Sequence, residues 1–343
     1  MFKMTQTKIM SINSISSKII NSKWILNLSK FGKRLELMLI DKKLENVKKL
    51  AIFRGLRGRI LGIFRSKVLL SIDNKLILFE KDESRPVLKA MNPNNFFSHL
   101  TEAGDKIFVQ EYGEPPTGIY ISKNLENWVK IITNTIIDKR SRHFHYIKYD
   151  PYRKWIIATL GDGCLTRVVY SDDIGEPWKQ LYRGPWQFLP IEVLKDKLVF
   201  GMDSGIAKGG IGIYHPNYER WNFIFLKWLN KKIRIAQMSE LRLLSNNIWI
   251  SALGSIVISR SIKEWYLLHI GDLKTSQFTN NSISEGDNFI VCSTGKTLLI
   301  YEKSYLKNII ENAMPIMINY SNFLERVIGY GFTLKRKILY KLS

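Results

Sequence analysis

The chain has 343 residues, with 52 Lys and Arg against 30 Asp and Glu, and a formal net charge of +22. A hydrophobic fraction of 45% and an aromatic fraction of 12% exclude intrinsic disorder, and two cysteines exclude a disulfide framework. The charge implies attraction to a polyanion (an acidic polysaccharide, an anionic membrane surface or nucleic acid) unless it is simply spread over the solvated surface.

The segment through Asn21 is polar, without an apolar run ahead of a small-residue cleavage site. No stretch approaches the roughly 18 apolar residues of a membrane span. The default expectation is a cytoplasmic protein with no transmembrane segment, peripheral contact at most with an anionic surface, and buried thiols at Cys164 and Cys292.

Residues 1–22 read as an arm or initial strand, and residues 23–343 as a single domain. Lys23–Ser29 and Arg34–Ile40 read as strands around a turn at Phe31-Gly32-Lys33. Leu44, Val47, Leu50 and Ile52 or Phe53 are spaced for a short helix, and a connecting strand fits nearly as well. From Arg59 onward short apolar segments recur between Asp, Asn and Gly turns. Ile77-Leu78-Phe79, Gly118-Ile119-Tyr120, Val168-Val169-Tyr170, Gly212-Ile213-Tyr214, Ile256-Val257-Ile258 and Leu298-Leu299-Ile300 follow one another at intervals of 41 to 50 residues. Second strands keep the same register at Val68–Ser71, Ile107–Gln110, Ile156–Thr159, Leu198–Phe200, Ile248–Ser251 and Phe289–Cys292. That period holds four short strands with their turns, the blade of a β-propeller. One further period at each end reaches Arg34–Leu39 and Lys337–Leu342. The expectation is therefore an all-β, seven-bladed propeller of four-stranded antiparallel blades, one blade closed by N- and C-terminal segments, with six blades as the alternative.

The stretch from Arg142 to Trp178 holds the clearest repeat. Its turn, Ser171-Asp172-Asp173-Ile174-Gly175-Glu176-Pro177-Trp178, fits Ser-x-Asp-x-Gly-x-x-Trp. The Asp carboxylate can accept local backbone donors, the Gly can take positive φ, and the Trp can pack between sheets. Shorter copies with Asn or Ser for Asp close on Trp128, Trp221 and Trp265, beginning at Ser122, His215 and Ser259. Here the chain resembles the sialidase-like propellers, whose Asp boxes carry this pattern between the third and fourth strands of a blade. The resemblance covers roughly residues 59–305 as architecture. It implies the fold; Asp boxes occur in many proteins that are not sialidases, so no activity follows from them. The family's arginine triad and Tyr/Glu nucleophile pair cannot be placed on this sequence, so sialidase activity does not follow.

In a four-stranded blade, the loop leading into the first strand and the loop leaving the second emerge at one end, away from the Asp-box turns. This places His143 and His145, Asp162, Asp203, Tyr146, Arg142, Arg234, Glu111, Tyr112, Gln187 and Gln237 on a common rim. His143 and His145, two apart on a strand, share a face. They can exchange a proton or bind a metal, or else order a buried hydrogen-bond network. With Gln187, Gln237 or Asp203 they form an imidazole and oxygen set that suits a divalent cation, although spacing alone establishes none. Arg142 and Arg234 carry the planar fork that grips a carboxylate. Tyr112, Tyr146 and Trp186 can face a sugar ring or fill the space between blades.

A basic propeller with such a rim suits an enzyme acting on an acidic, uronate-containing oligosaccharide or polysaccharide. In a β-elimination, a histidine is the base, Tyr146 or Tyr112 the donor to the leaving oxygen, and arginine the carboxylate clamp. This looks broadly like the propeller-fold polysaccharide lyases, among which some cytoplasmic oligogalacturonate lyases hold manganese through His and Gln. A hydrolase would instead pair Asp162 with Asp203. A propeller that binds a polyanion or organises a protein assembly without turnover is the third reading. No localised Gly and aromatic recognition module accompanies the charge, which argues against specific nucleic-acid binding.

Overall fold

A computed structural model of the chain describes residues 7–162, 166–172, 177–184, 186–202, 210–229, 238–252, 255–270 and 281–319. The chain is an all-β, multi-bladed propeller. Among the described residues, seven sets of four strands follow one another. The first is Ser14–Ile19, Trp24–Phe31, Arg34–Asp41 and Val47–Arg54, and the second Gly58–Phe64, Lys67–Ile72, Lys75–Glu80 and Glu83–Lys89. Phe96–Ala103, Lys106–Tyr112, Gly118–Ser122 and Val129–Thr133 form the third, and Phe144–Asp150, Trp155–Leu160, Thr166–Ser171 and Lys179–Gly184 the fourth. The fifth runs Phe188–Val193, Leu198–Met202, Gly210–His215 and Arg220–Trp228, the sixth Glu240–Leu243, Trp249–Ala252, Ile256–Ser259 and Glu264–His269.

The seventh set is shared between distant parts of the chain. Asn281–Glu285, Phe289–Thr294 and Thr297–Glu302 supply three strands, and Thr7–Ser11 supplies the fourth, pairing antiparallel from Thr7 opposite Tyr301 to Ser11 opposite Thr297. Arg34–Asp41 is thus not part of a shared blade but the third strand of a complete one, and Lys337–Leu342 lies outside the described residues. The period extended from Ile77-Leu78-Phe79 reaches this strand, but the blade around it leaves no apolar repeat in the sequence because its first strand is Ser-Ile-Ser-Ser-Lys-Ile, whose buried side chains are mostly hydroxyls. Ser14 bonds Asn27 and Ser293, and Ser293 donates to Ser17 at 2.8 Å, so these hydroxyls satisfy one another without apolar alternation. Val47–Arg54 is a strand, not a helix: it pairs with Arg34–Asp41 and leaves most of its side chains at the surface.

The described residues form two compact units, one chiefly of 7–89 and 242–317, the other chiefly of 90–228. In the second, the first strands pack successively: Phe96–Ala103 against Phe144–Asp150, and that strand against Phe188–Val193. Phe108, Ile119, Phe144, Ile147, Ile156 and Val169 fill the space between two of its sheets. Trp221 stacks on Phe188 at 5.4 Å and on Phe223 at 5.9 Å within another cluster, which also holds Tyr146 and Trp186. Each such aliphatic or aromatic side chain contributes about 1.5–3 kcal/mol by leaving water. In the first unit the helix Lys303–Asn312 buries Leu306 and Ile310 against the same core as Ile250 and Ile258.

Two of the tryptophan-closed turns share one bonding scheme. Ser122 Oγ accepts from the N–H groups of Asn124 and Leu125, Asn124 Oδ1 accepts from Glu126 and Asn127, and Trp128 Nε1 donates to Leu125 O at 3.0 Å. Ser259 Oγ accepts from Ser261 and Ile262, Ser261 Oγ from Lys263, and Trp265 Nε1 donates to Ile262 O at 3.0 Å. Trp221 departs from this scheme by donating to Leu181 O in the neighbouring sheet. Asp173 and Gly175 of the full motif lie outside the described residues.

Candidate metal and carboxylate site

The site is built in the second unit, where the chain runs into the first strand of one blade and leaves the second strand of that blade and its predecessor. Phe144–Asp150 starts with a register shift between Phe144 and Tyr146, so the strand begins irregularly at His145. His143 and His145 are both buried and their rings meet edge to face at 4.7 Å. Gly161, at φ +83°, turns the chain out of Trp155–Leu160 and presents Asp162 to both rings. Asp162 Oδ1 lies 3.3 Å from His145 Nε2 and Oδ2 lies 3.8 Å from His143 Nε2. Gln187 Nε2 donates to Asp162 Oδ1 at 3.2 Å and sits 3.3 Å from His145 Nε2. Tyr112 lays its ring 4.1 Å from that of His143.

Carbonyl partners fix the protons on the two imidazoles, because a carbonyl oxygen only accepts. His143 Nδ1 is 2.8 Å from Gly113 O, so it carries the proton and leaves a lone pair at Nε2, which has no hydrogen-bond partner. His145 Nε2 is 3.0 Å from Gly161 O, so that nitrogen carries the proton, and the buried, partnerless Nδ1 holds the lone pair. Burial, and then the neighbouring His145, push His143 down to about 4 against the pull of Asp162. Burial alone would raise Asp162; the facing His145, His143 and Arg142 outweigh it and hold the carboxyl down at about 2.

Arg142 stands at the exposed side of this cluster. Its guanidinium donates to Glu114 Oε1 at 2.9 Å and lies 3.8 Å from Asp162 Oδ2. Both side chains of the Arg142–Glu114 pair are more than half exposed, so the pair is worth ~1 kcal/mol or less and yields readily to another carboxylate.

His143, His145 and Asp162 can hold a divalent cation, with one ligand atom from each lying within 4.8 Å of the others. The fit rests on His143 Nε2, a buried lone pair facing a carboxylate with no donor between them. Two imidazoles and a carboxylate, with the Gln187 amide beside them, make a borderline nitrogen and oxygen set suited to a first-row divalent metal.

Of the residues expected on the rim, Arg142, His143, His145, Asp162, Tyr112 and Gln187 come together. Asp203, Arg234 and Gln237 lie outside the described residues. Glu111 is corrected to an internal position: it is fully buried, accepts from Met91 N, Asn95 Nδ2, Gly118 N and Tyr120 OH, and has no oxygen left to offer a ligand. Tyr146 packs its ring 4.0 Å from His99 within the apolar cluster rather than against the imidazole pair. Trp186 is likewise a filler between sheets. Sequence reasoning stopped the second-strand loop at Tyr112 and so missed Gly113 and Glu114; Arg142, a cation one residue before the histidines, was the signal that an acid should face it. Cys292 is a buried free thiol pushed up to about 12 by burial, and Cys164 lies outside the described residues.

No family model matches the chain, and no curated protein sequence matches it. Solved structures do match. An oligogalacturonate lyase from Vibrio parahaemolyticus aligns with TM-score 0.59 at 10% identity over 88% of this chain and 96% of its own. An oligogalacturonate lyase in complex with manganese aligns with TM-score 0.55 at 10% identity over 89% of this chain and 100% of its own. The extracellular domain of a putative one component system from B. thetaiotaomicron aligns with TM-score 0.59 at 11% identity over 87% of this chain. The chain spans about two fifths of the length of that extracellular domain, 40%. At such identities the likeness shows the propeller-like fold. The cytoplasmic location expected from the polar N-terminus does not stand, because extracellular domains among the matching structures point away from it. Among the described residues no helix is long and apolar enough to cross a membrane.

Proposed function

We propose that the chain is a carbohydrate-active enzyme that cleaves a uronate-containing oligosaccharide or polysaccharide by β-elimination. The observation that carries this reading is the convergence of His143, His145 and Asp162 behind an exposed arginine, on a fold shared with oligogalacturonate lyases. Arg142 exchanges Glu114 for the uronate carboxylate, a match its planar fork favours. Of the three-residue cluster, His143 Nε2 and Asp162 would hold a divalent cation, which leaves His145, whose Nε2 already carries a proton, for the proton transfer. When bound, that cation supplies positive charge against the negative charge that builds on the carboxylate as the adjacent carbon loses its proton.

His145 is the proton acceptor in this reading. Its Nε2–H is held by Gly161 O and Asp162, which leaves Nδ1 unprotonated and sets the ring's orientation, the arrangement of a base steadied by a carboxylate. The proton passes from the carbon beside the carboxylate to His145, the bond from the neighbouring carbon to the glycosidic oxygen breaks, and a C=C bond forms between the two carbons. The leaving oxygen takes a proton, for which Tyr112, over the His143 ring, is the nearest phenol described at the site. In the free protein Nδ1 is closed off from water, so substrate must part the side chains over it.

The tryptophan-closed turns at 122–128 and 259–265 are read as degenerate Asp boxes of the sialidase-like kind, supported by their matching serine, Asn or Ser, and indole bonds. A second reading, a propeller that binds polyanions without turnover, is favoured by the net charge of +22. Incubation with oligogalacturonate and Mn2+, followed through the ultraviolet absorbance of the new C=C bond, separates the two. Absorbance growth that stops with a chelator supports the lyase; binding without product across a panel of acidic glycans supports the second reading.

A further inference from the structure

We infer that Asn95, which touches neither imidazole nor Asp162, is a positioning residue that selects the proton-bearing nitrogen of His143. The inference rests on the reading of the cluster as a cation site and deepens it. Asn95 is fully buried and uses its whole amide. Nδ2 donates to Glu111 Oε1 at 2.7 Å and to Glu114 O at 2.9 Å, while Oδ1 accepts from Glu114 N at 2.6 Å. One side chain therefore grips both sides of residue 114 and is itself moored to a carboxylate that four donors hold in place.

The peptide carbonyl of Gly113 sits directly before this grip and is the group that His143 Nδ1–H meets. Gly113 takes φ +142°, and a Cβ added there would fall 2.1 Å from Asn95 Oδ1. The close approach thus requires glycine, and it aims the carbonyl at the ring. With the carbonyl in place, the proton stays on Nδ1 and the Nε2 lone pair faces Asp162. With the carbonyl turned away, Nδ1 loses its acceptor, and the proton is better held at Nε2, where it meets Asp162 Oδ2. That second arrangement closes the gap as an imidazole–carboxylate hydrogen bond and removes a cation ligand. Glu114, held by the same amide, also carries the carboxylate that steadies Arg142, so Asn95 sets both parts of the site. Groups that orient a ligating histidine typically alter metal affinity about 10- to 100-fold when removed.

The test uses the full chain with 15N-labelled histidine, free of metal, the His143 signals being assigned by their loss in His143→Gln. In the native protein they should report protonated Nδ1 and bare Nε2. Asn95→Ala and Gly113→Ala should each move the proton toward Nε2, and calorimetric titration should show Mn2+ affinity lowered about 10- to 100-fold. If Asn95→Ala does not fold, Gly113→Ala and the native tautomer still decide. Bare Nδ1 in the native protein overturns the inference, as does a folded Asn95→Ala with native tautomer and native affinity. A native protein that binds no Mn2+ yet shows the tautomer shift in both variants overturns the cation reading and supports the positioning role.

Discussion

The two ends of a blade in the second unit obey different rules. Where Gly118–Ser122 hands over to the next strand, the turn uses a serine, an asparagine and a tryptophan bonded only to their own loop, and the same scheme recurs at 259–265 with serine in place of asparagine. Where Lys106–Tyr112 ends, the loop reaches outward: Gly113 O meets His143, Glu114 meets Arg142, and Asp162 from the next blade completes the group. Repetition in these two turns marks groups that satisfy themselves locally and serve folding, whereas Trp221 reaches Leu181 O in the neighbouring sheet. The other end gathers polar atoms from separate loops and leaves two ring nitrogens without partners. Such costs persist where a ligand or a reaction meets them.

The sharpest way to break this contrast is at His145. His145→Ala should lower elimination about 100- to 10,000-fold while Mn2+ affinity stays within a few-fold of native, as seen by steady-state kinetics and calorimetry. Equal loss of both would make His145 a cation ligand rather than the base. In the matching tryptophan-closed turn of the first unit, Trp265→Ala removes a fully buried indole and should cost about 3–5 kcal/mol in denaturant unfolding. Its effect on kcat per folded molecule should be nil.

The pH dependence of stability distinguishes the ends next. His143 accepts a proton near pH 4 when folded and near 6.5 when unfolded, so between those values the unfolded chain binds more protons. Stability should therefore rise with pH across that window, be fully present above 6.5 and be lost at about 4, a contribution of about 3 kcal/mol. His143→Gln should flatten the slope in urea titrations. Arg142→Gln should raise KM about 10-fold on a uronate substrate with kcat less changed, the mark of lost ground-state binding. Ser122→Ala, the mildest change, should cost ~1 kcal/mol and leave kinetics alone.

The same contrast explains what the sequence could disclose. Third strands such as Gly118–Ser122 and Ile256–Ser259 were legible because a buried strand between two neighbours must be apolar at a regular interval, and tryptophan marks each following turn. Ser14–Ile19 was illegible because its buried face is hydroxyl-lined, and hydroxyl pairing depends on Asn27 in the adjacent strand and on Ser293, far away in the chain. Connectivity alone carried His143, His145, Asp162 and Gln187 to one mouth. It misassigned Glu111, since alternation along Lys106–Tyr112 does not reveal that Asn95 and Tyr120 wait for that carboxylate inside the sheet. Tyr146 was misplaced at the site for the same reason: its side chain lies on the buried face, against His99.

Thr7–Ser11 has a temporal consequence. This strand is made before the edge it covers, Thr297–Glu302, which emerges only after all the intervening residues have been made. Until then Thr7–Ser11 waits without the strand it pairs with, its backbone donors and acceptors open to any stray strand. Peptides copying residues 297–302 should therefore capture that waiting strand during translation and have no purchase once the sheet is complete.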